Sequence, residues 1–492
     1  MSPITNLLVL IGYFGILMLI SYVSGKNSDQ ASFYHGNRKS PWFLVAFGMI
    51  GASLSGVTFI SIPGWVQNTH FGYMQTVFGY MVGYLIISQV LLPLYYRLNL
   101  TSIYTYLETR YGQSGYKTGA AYFLISRIVG ASFRLFLVAT VLHMAIFEPL
   151  FTSFEFPYWA TVAITILLIF TYTTKSGIKT VVYTDVFQTT FLILAVVLTI
   201  VFIASSMNLG FGDLLDNLVN DPNTQIFHND WKSNNFFWKQ FVGGAFIALV
   251  MTGLDQDMMQ KNLSIKDISG AQKNIYAQMA MFLVVNVVFL SLGALLYQYQ
   301  EFIGIGAVEK SDQLFPTIAL EHATPFIGLF FILGLVAAAY SSADSALTAL
   351  TTSFCVDFLG FESKRPTDVK IRRMVHLGFA FILFITILIF NLINNEAVIK
   401  QLFTAAGFTY GPLLGLFFFG ILTKWRVYDK RIPAITILSI AVTWLYYTFS
   451  PDWIEGYKPG FELIVINGGI TFLLLALNKK QIEETEILDN TL

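Results

Sequence analysis

Ser341, Ser342, Asp344 and Ser345 interrupt a stretch, 325–355, that is otherwise apolar enough to sit in lipid. Hydroxyls and a carboxylate are costly there unless they bind something. Ser341 and Ser345 are four apart and Ser342 follows directly, so on a helix the oxygens of Ala338, Ser341, Ser342 and Ser345 converge on one side. That is a hard-cation site in outline, with sodium the first candidate. The alternative is a small-residue stripe that lets two helices approach, each hydroxyl bonding back to its own helix.

A second stretch supplies what such a site needs opposite it. Residues 48–64 pack Gly48, Gly51, Ser53, Ser55, Gly56, Thr58, Pro63 and Gly64 into one membrane-length segment, a poor recipe for a continuous helix. Backbone carbonyls freed at a break find no water in the bilayer core, and a bound cation can satisfy them. The carbonyls of Gly51 and Leu54, facing the Ala338 carbonyl and the hydroxyls of Ser341 and Ser342, make a site without formal charge. That suits a reversibly bound Na⁺, whereas Ca²⁺ or Mg²⁺ would demand more carboxylates. Ser53, Ser55 and Thr58 lie along the same segment and can bind a solute, so an ion that fixes the break also positions the hydroxyls.

Asp185 lies about two turns inside its span and needs a partner. A second sodium, shared with Ser345 and Asp344, is one candidate; an interfacial Asp that caps a helix near Lys179 is the other. Arg127 and Arg134 are seven apart on one face of the span 119–147. A guanidinium in mid-membrane calls for a carboxylate, either of the protein or of the solute. Tyr80, with Phe59, Tyr73 and Phe246, is a candidate gate, although most aromatics in a chain with 46 Phe face lipid or pack.

The elements that carry these residues are membrane spans. With 492 residues, 55% hydrophobic and only 12% charged, the chain is a polytopic membrane protein. About thirteen apolar stretches, from 4–23 to 461–477, are long enough to cross a bilayer. No hydrophilic segment is long enough for an independent fold, so 1–492 reads as one membrane domain. A second interrupted span, 237–260, carries Gly243, Gly244, Gly253, Asp255 and Asp257. Each interrupted span opens a block of five, 42–206 and 237–423, which points to an inverted repeat with 1–24 and 432–477 peripheral.

Formal charge sums to zero, so the electrostatic signal lies in its distribution. One set of loops holds most of the base, including Lys26, Arg38, Lys39, Arg110, Lys117, Lys261, Lys266, Lys364, Arg365, Arg372 and Lys430. By the positive-inside rule that set is cytoplasmic, the N-terminus is outside, and the acidic tail Glu483, Glu484, Glu486 is inside. This assignment leaves Arg127 and Arg134 as the basic residues of the membrane interior. The first apolar run has no preceding basic residue and no small-residue cleavage pattern, so it reads as a retained helix. The single Cys355 forms no internal disulfide. No basic tract is interleaved with aromatics in a soluble segment, which argues against a nucleic-acid partner.

Together these residues resemble the sodium:solute symporter family, whose fold is the LeuT-like arrangement of two inverted five-helix repeats with discontinuous helices. The likeness covers most of the length. It rests on Leu54, Ser55, Gly56, Val57, Thr58 and Phe59 followed by Ile62, Pro63 and Gly64; on Thr184 to Gln188; on Gly253, Leu254, Asp255 and Gln256 followed by Gln260; and on Ala338 to Ser345. The resemblance implies a first sodium site at Gly51, Leu54, Ala338, Ser341 and Ser342. It implies a second, present in some members, at Asp185, Ser341, Asp344 and Ser345. Asp344 stands where the sialic acid branch has serine. The first broken segment is similar to that branch, whose solute-contacting hydroxyls correspond to Ser53, Ser55 and Thr58. Its carboxylate-binding arginine aligns with Gly130, between Arg127 and Arg134, and its glutamine on the next span with Tyr80. The sugar branch's Asn and Tyr appear as Ala248 and Met251, which argues against a galactose-like site.

The expectation is therefore a multi-pass protein, of a bacterial inner membrane, that uses Na⁺ to import a small polar organic solute by alternating access. Sialic acid, amino acids, carboxylates and sugar-like solutes are the candidates, with solute and membrane lipid as partners and no oligomeric state specified. A sodium-responsive sensor that keeps the fold without net transport, and a proton-coupled symporter using Asp185 or Asp344, are the rivals. Six scattered His and one Cys form no metal-ligand or nucleophile pattern, which argues against an enzyme.

Overall fold

A computed structural model describes residues 3–25, 38–100, 102–151, 154–361, 367–393, 398–457 and 459–480. Lys26, Lys364, Arg365 and the acidic tail lie outside these, as does the side chain of Lys179. Among the described residues there is no β-strand, only an isolated bridge between Val427 and Lys479. That is the outcome lipid imposes, because a helix satisfies its own backbone donors and acceptors.

Among the described residues nine helices are long and apolar enough to cross a membrane, or ten if the bent pair Phe237–Gly253 and Gln256–Leu263 is one span. The expected count of about thirteen is not reproduced at that length. Trp42–Ser53, Tyr158–Thr173 and Leu463–Leu477 are shorter apolar helices, and 56–97 runs on as one apolar helical stretch where two spans were expected. Residues Tyr158–Ser206 are helical throughout, joining two expected spans.

Burial grades across the bundle. The most apolar windows of Pro3–Ser24 and Asp429–Trp453 are 28% buried inside the protein, against 78% for Pro325–Phe358. The last is the central element, and its run of Ala337, Ala338, Ala339, Ser341, Ser342 and Ala343 is wholly enclosed. Small side chains there bring neighbouring backbones close, which in lipid supplies the packing that hydrophobicity cannot.

Both expected interruptions are present. The first span stops at Ser53 and resumes at Gly56, with Leu54 at φ −84°, ψ 70° and Ser55 at φ −68°, ψ 176° between them. The second passes through a π-helical turn, Leu249–Gly253, then Leu254 and an extended Asp255, before Gln256–Leu263 sets off at 62°. The Asp255 carboxylate caps this new helix, accepting from the N–H groups of Asp257 at 3.0 Å and Met258 at 3.4 Å.

Candidate functional site

The last ladder bond of the first half-helix runs from Leu54 N–H to Ile50 O, and the first of the next half runs from Phe59 N–H to Ser55 O. The carbonyls of Gly51, Ala52, Ser53 and Leu54 therefore fall between the two ladders, as helix-end geometry requires. Across from them stands the central helix, where Ala338, Ser341 and Ser342 are all fully buried. Ser342 Oγ donates to the Ala52 carbonyl at 3.2 Å, so the carbonyl directly engaged is Ala52, next to the expected Gly51.

Gly48 and Gly51 do something else. A Cβ at Gly48 would lie 2.8 Å from Asp185 Cβ, and one at Gly51 would lie 3.3 Å from Thr189 Cα and overlap its hydroxyl. The two glycines form a notch that seats Asp185 and Thr189, one turn apart on Tyr158–Ser206. Thr189 Oγ1 is buried without a hydrogen-bond partner beside the free carbonyls. Sequence reasoning missed it, although its four-residue spacing from Asp185 is the available signal.

Asp185 is fully enclosed. Its Oδ1 accepts from Ser341 Oγ at 2.6 Å, and its Oδ2 accepts from Lys261 Nζ at 2.7 Å. The expected helix-capping role is absent from these contacts, and so is the expected assignment of Lys261 to a cytoplasmic loop. Lys261 follows the second break on Gln256–Leu263, which the 62° bend turns inward to the bundle, leaving the lysine with no exposed surface. Asp344 lies apart from the ion pair: Oδ2 accepts from Tyr172 OH at 3.1 Å and Oδ1 from the Ser345 N–H at 2.5 Å. Ser345 Oγ has no partner.

The two arginines have different fates. Arg127 pairs with Asp257 and lies 3.8 Å from Asp255, whose Oδ2 also accepts from Tyr410 OH at 2.7 Å. It thus clamps the inner half of the second broken helix to the span 113–142. Arg134, two turns along the same face, has no carboxylate within ion-pair distance among the described residues, and its Nε and Nη1 have no partner although the side chain is only 6% exposed.

Arg134 opens into a cavity of about 70 Å³ that Ser53, Ser55, Thr58 and Tyr80 also line. Five of the six residues picked as solute-binding thus share one space; Arg127 does not border it and instead lines a smaller neighbouring cavity. Tyr73, Tyr84, Thr252 and Phe282 complete the polar and aromatic wall, with Val57, Ile247, Met251, Leu402 and Phe403 on the apolar side. Tyr73 and Tyr80 are bonded through their hydroxyls at 3.1 Å, and Gln278 donates to Ser53 Oγ at 3.2 Å. The cavity abuts the broken segment whose carbonyls form the candidate ion site, because Ser53 and Ser55 belong to both.

Comparison with known proteins bears on the family and the fold. The chain is 24% identical over 416 residues to human sodium-coupled monocarboxylate transporter 2, an alignment covering 83% of this chain and 66% of that protein. It is 23% identical to the sodium/sialic acid symporter NanT of Aliivibrio fischeri, over 97% of this chain and 95% of that one. The fold matches a substrate-bound, outward-open Na⁺-coupled sialic acid symporter with TM-score 0.80 at 19% identity, covering 97% and 99% of the two chains. Mhp1, a nucleobase-cation-symport-1 family transporter in a closed conformation, matches at TM-score 0.56 and 16% identity, over 94% and 98%. The architecture is thus the LeuT-like one, and the relatives are symporters, not enzymes. Residues 33–428 match the model of the sodium:solute symporter family, and with carbonyls and hydroxyls converging at a broken helix, this multi-pass membrane chain belongs to that family.

Proposed function

We propose that the protein is a Na⁺-coupled symporter of a short-chain organic carboxylate. The observation that carries the solute class is Arg134, a buried guanidinium with unpartnered N–H groups facing a cavity. A charge left so in a low-dielectric interior is costly, and a carboxylate from outside satisfies it with charge-assisted hydrogen bonds. The cavity that Arg134 borders is small, about 70 Å³. A small space suits a compact carboxylate such as propionate, lactate or pyruvate better than a bulky sugar acid. The apolar wall of Val57, Ile247, Met251, Leu402 and Phe403 suits an aliphatic tail, and the hydroxyls of Ser53, Ser55 and Thr58 suit the polar end.

Na⁺ binds among the carbonyls of the first break, including Leu54, the Ala338 carbonyl, and the hydroxyls of Ser341 and Ser342, with Gly51 holding the helix close. The ion ties the broken segment to the central helix and so sets Ser53, Ser55 and Thr58 for the solute, which couples the two sites. Alternating access then moves the broken helices of the two repeats, 42–206 and 237–423, against the rest, with 1–24 and 432–477 peripheral. The basic loops assign the N-terminus to the outside.

The test is uptake into proteoliposomes of labelled propionate, lactate, pyruvate, sialic acid, proline and galactose, each with and without an inward Na⁺ gradient. Sodium-dependent accumulation of the short carboxylates is expected. Accumulation of sialic acid or proline instead would overturn the solute class. Uptake that follows pH and ignores sodium would overturn the coupling ion, and solute binding without accumulation would make the protein a sensor.

A further inference from the structure

The position beside Asp185 where a second sodium is expected already contains a cation. Lys261 reaches it because Asp255 starts a new helix after the second break, and the short segment Gln256–Leu263 carries the lysine into the bundle. Its Nζ lies 2.7 Å from Asp185 Oδ2, and neither residue exposes more than 1% of its surface. The other carboxylate oxygen accepts from Ser341 Oγ at 2.6 Å. Both oxygens are thus engaged, one by an ammonium and one by a hydroxyl. A further cation placed beside this ammonium would meet like-charge repulsion that the low-dielectric interior strengthens.

We infer that Lys261 takes the place of a second sodium, so that the protein carries one Na⁺ per cycle, with Asp185 acting through Ser341 as a positioning residue. Taking the solute to be a carboxylate, as proposed, the loaded protein then moves no net charge across the membrane.

Purified full-length protein in detergent is dialysed against radioactive sodium to count bound ions, and the same protein in proteoliposomes is assayed for the ratio of sodium to lactate taken up. One bound ion, a one-to-one ratio and uptake unmoved by an interior-negative potassium diffusion potential are expected. Two bound ions in the wild-type protein overturn the inference, whatever the solute. One bound ion with potential-driven uptake keeps it and overturns the carboxylate assignment instead. In Lys261→Asn the vacated carboxylate should take up a second sodium, raising the bound count from one to two; a count that stays at one in a folded variant overturns the surrogate role. If that variant does not fold, Asp185→Asn/Lys261→Met removes both charges together, and one bound sodium is expected there; two would overturn the inference.

Discussion

Ser342 Oγ lies 3.2 Å from the carbonyl oxygen of Ala52, joining the central helix to the broken end of the first half-helix. A single hydroxyl thus reads whether the break is closed against its neighbour. Ser342→Ala removes a neutral oxygen ligand and this bond, worth about 1 kcal/mol, so sodium affinity should fall roughly five- to tenfold with the fold intact. Sodium titration of lactate uptake and of intrinsic tryptophan fluorescence checks it; an unchanged sodium midpoint in both would remove Ser342 from the site.

Arg134 and Arg127 should separate cleanly. Arg134→Gln takes away the charge-assisted contact to the solute, worth about 1.5–3 kcal/mol, and should raise KM for short carboxylates roughly ten- to a hundredfold with little change in thermal stability. Arg134→Lys keeps the charge but loses the planar fork and should fall between. KM values unmoved by either substitution would contradict the carboxylate contact.

For Arg127 the readout is stability. Arg127→Met strands Asp255 and Asp257 inside the bundle, and breaking a buried pair in this way costs about 3–5 kcal/mol. A lower melting temperature in detergent is expected, whether or not solute is present. A variant as stable as wild type but unable to take up solute would instead assign Arg127 to the transport path.

Gly51 tests the notch. Gly51→Ala brings a methyl group within 3.3 Å of the Thr189 backbone, so the first broken helix must shift away from Tyr158–Ser206. Sodium-dependent uptake should drop at least tenfold, and Thr189→Ala/Gly51→Ala should recover part of it by making room. Failure of the double variant to improve on the single one would place the constraint elsewhere.

His228, in the loop 221–236, stacks on His70 at 5.7 Å, and the Phe71 N–H donates to the Gln225 carbonyl at 3.1 Å. Burial, and then the neighbouring His70, hold the His228 pKa below its ordinary 6.5. A depressed value favours the neutral ring in the docked loop, so docking is fully supported above pH 6.5 and lost as pH falls through the lowered value. Protection factors across 225–237, taken relative to the intrinsic exchange rate at each pH, should fall on acidification in that window, and His228→Asn should flatten the response. A loop equally protected on both sides of the window would show that docking does not depend on this ring.

The residues proposed for the first sodium site could be picked out along the chain because their logic is local. Hydroxyls at helical spacing in an apolar span, and glycines with a proline in another, are each visible within about twenty residues. Ser53, Ser55, Thr58 and Arg134, which the fold brings to one cavity, followed for the same reason. Span number was less legible, since the two halves of a broken helix and two spans joined in one helical run do not differ in composition from continuous ones.

Partnership was decided only in three dimensions. Arg127 and Arg134 are alike in type, face and depth, yet one meets Asp255 and Asp257 and the other meets a cavity. Lys261, read along the chain with Lys266 and Lys273, looks like a loop residue until the second break turns its helix inward to Asp185. Local sequence determines which segments prefer lipid and where a helix must fail, because backbone hydrogen bonding and solvation act over a few residues. Which charges then meet depends on the angle each break imposes and on contacts between residues 76 and 130 positions apart, which only tertiary packing can set.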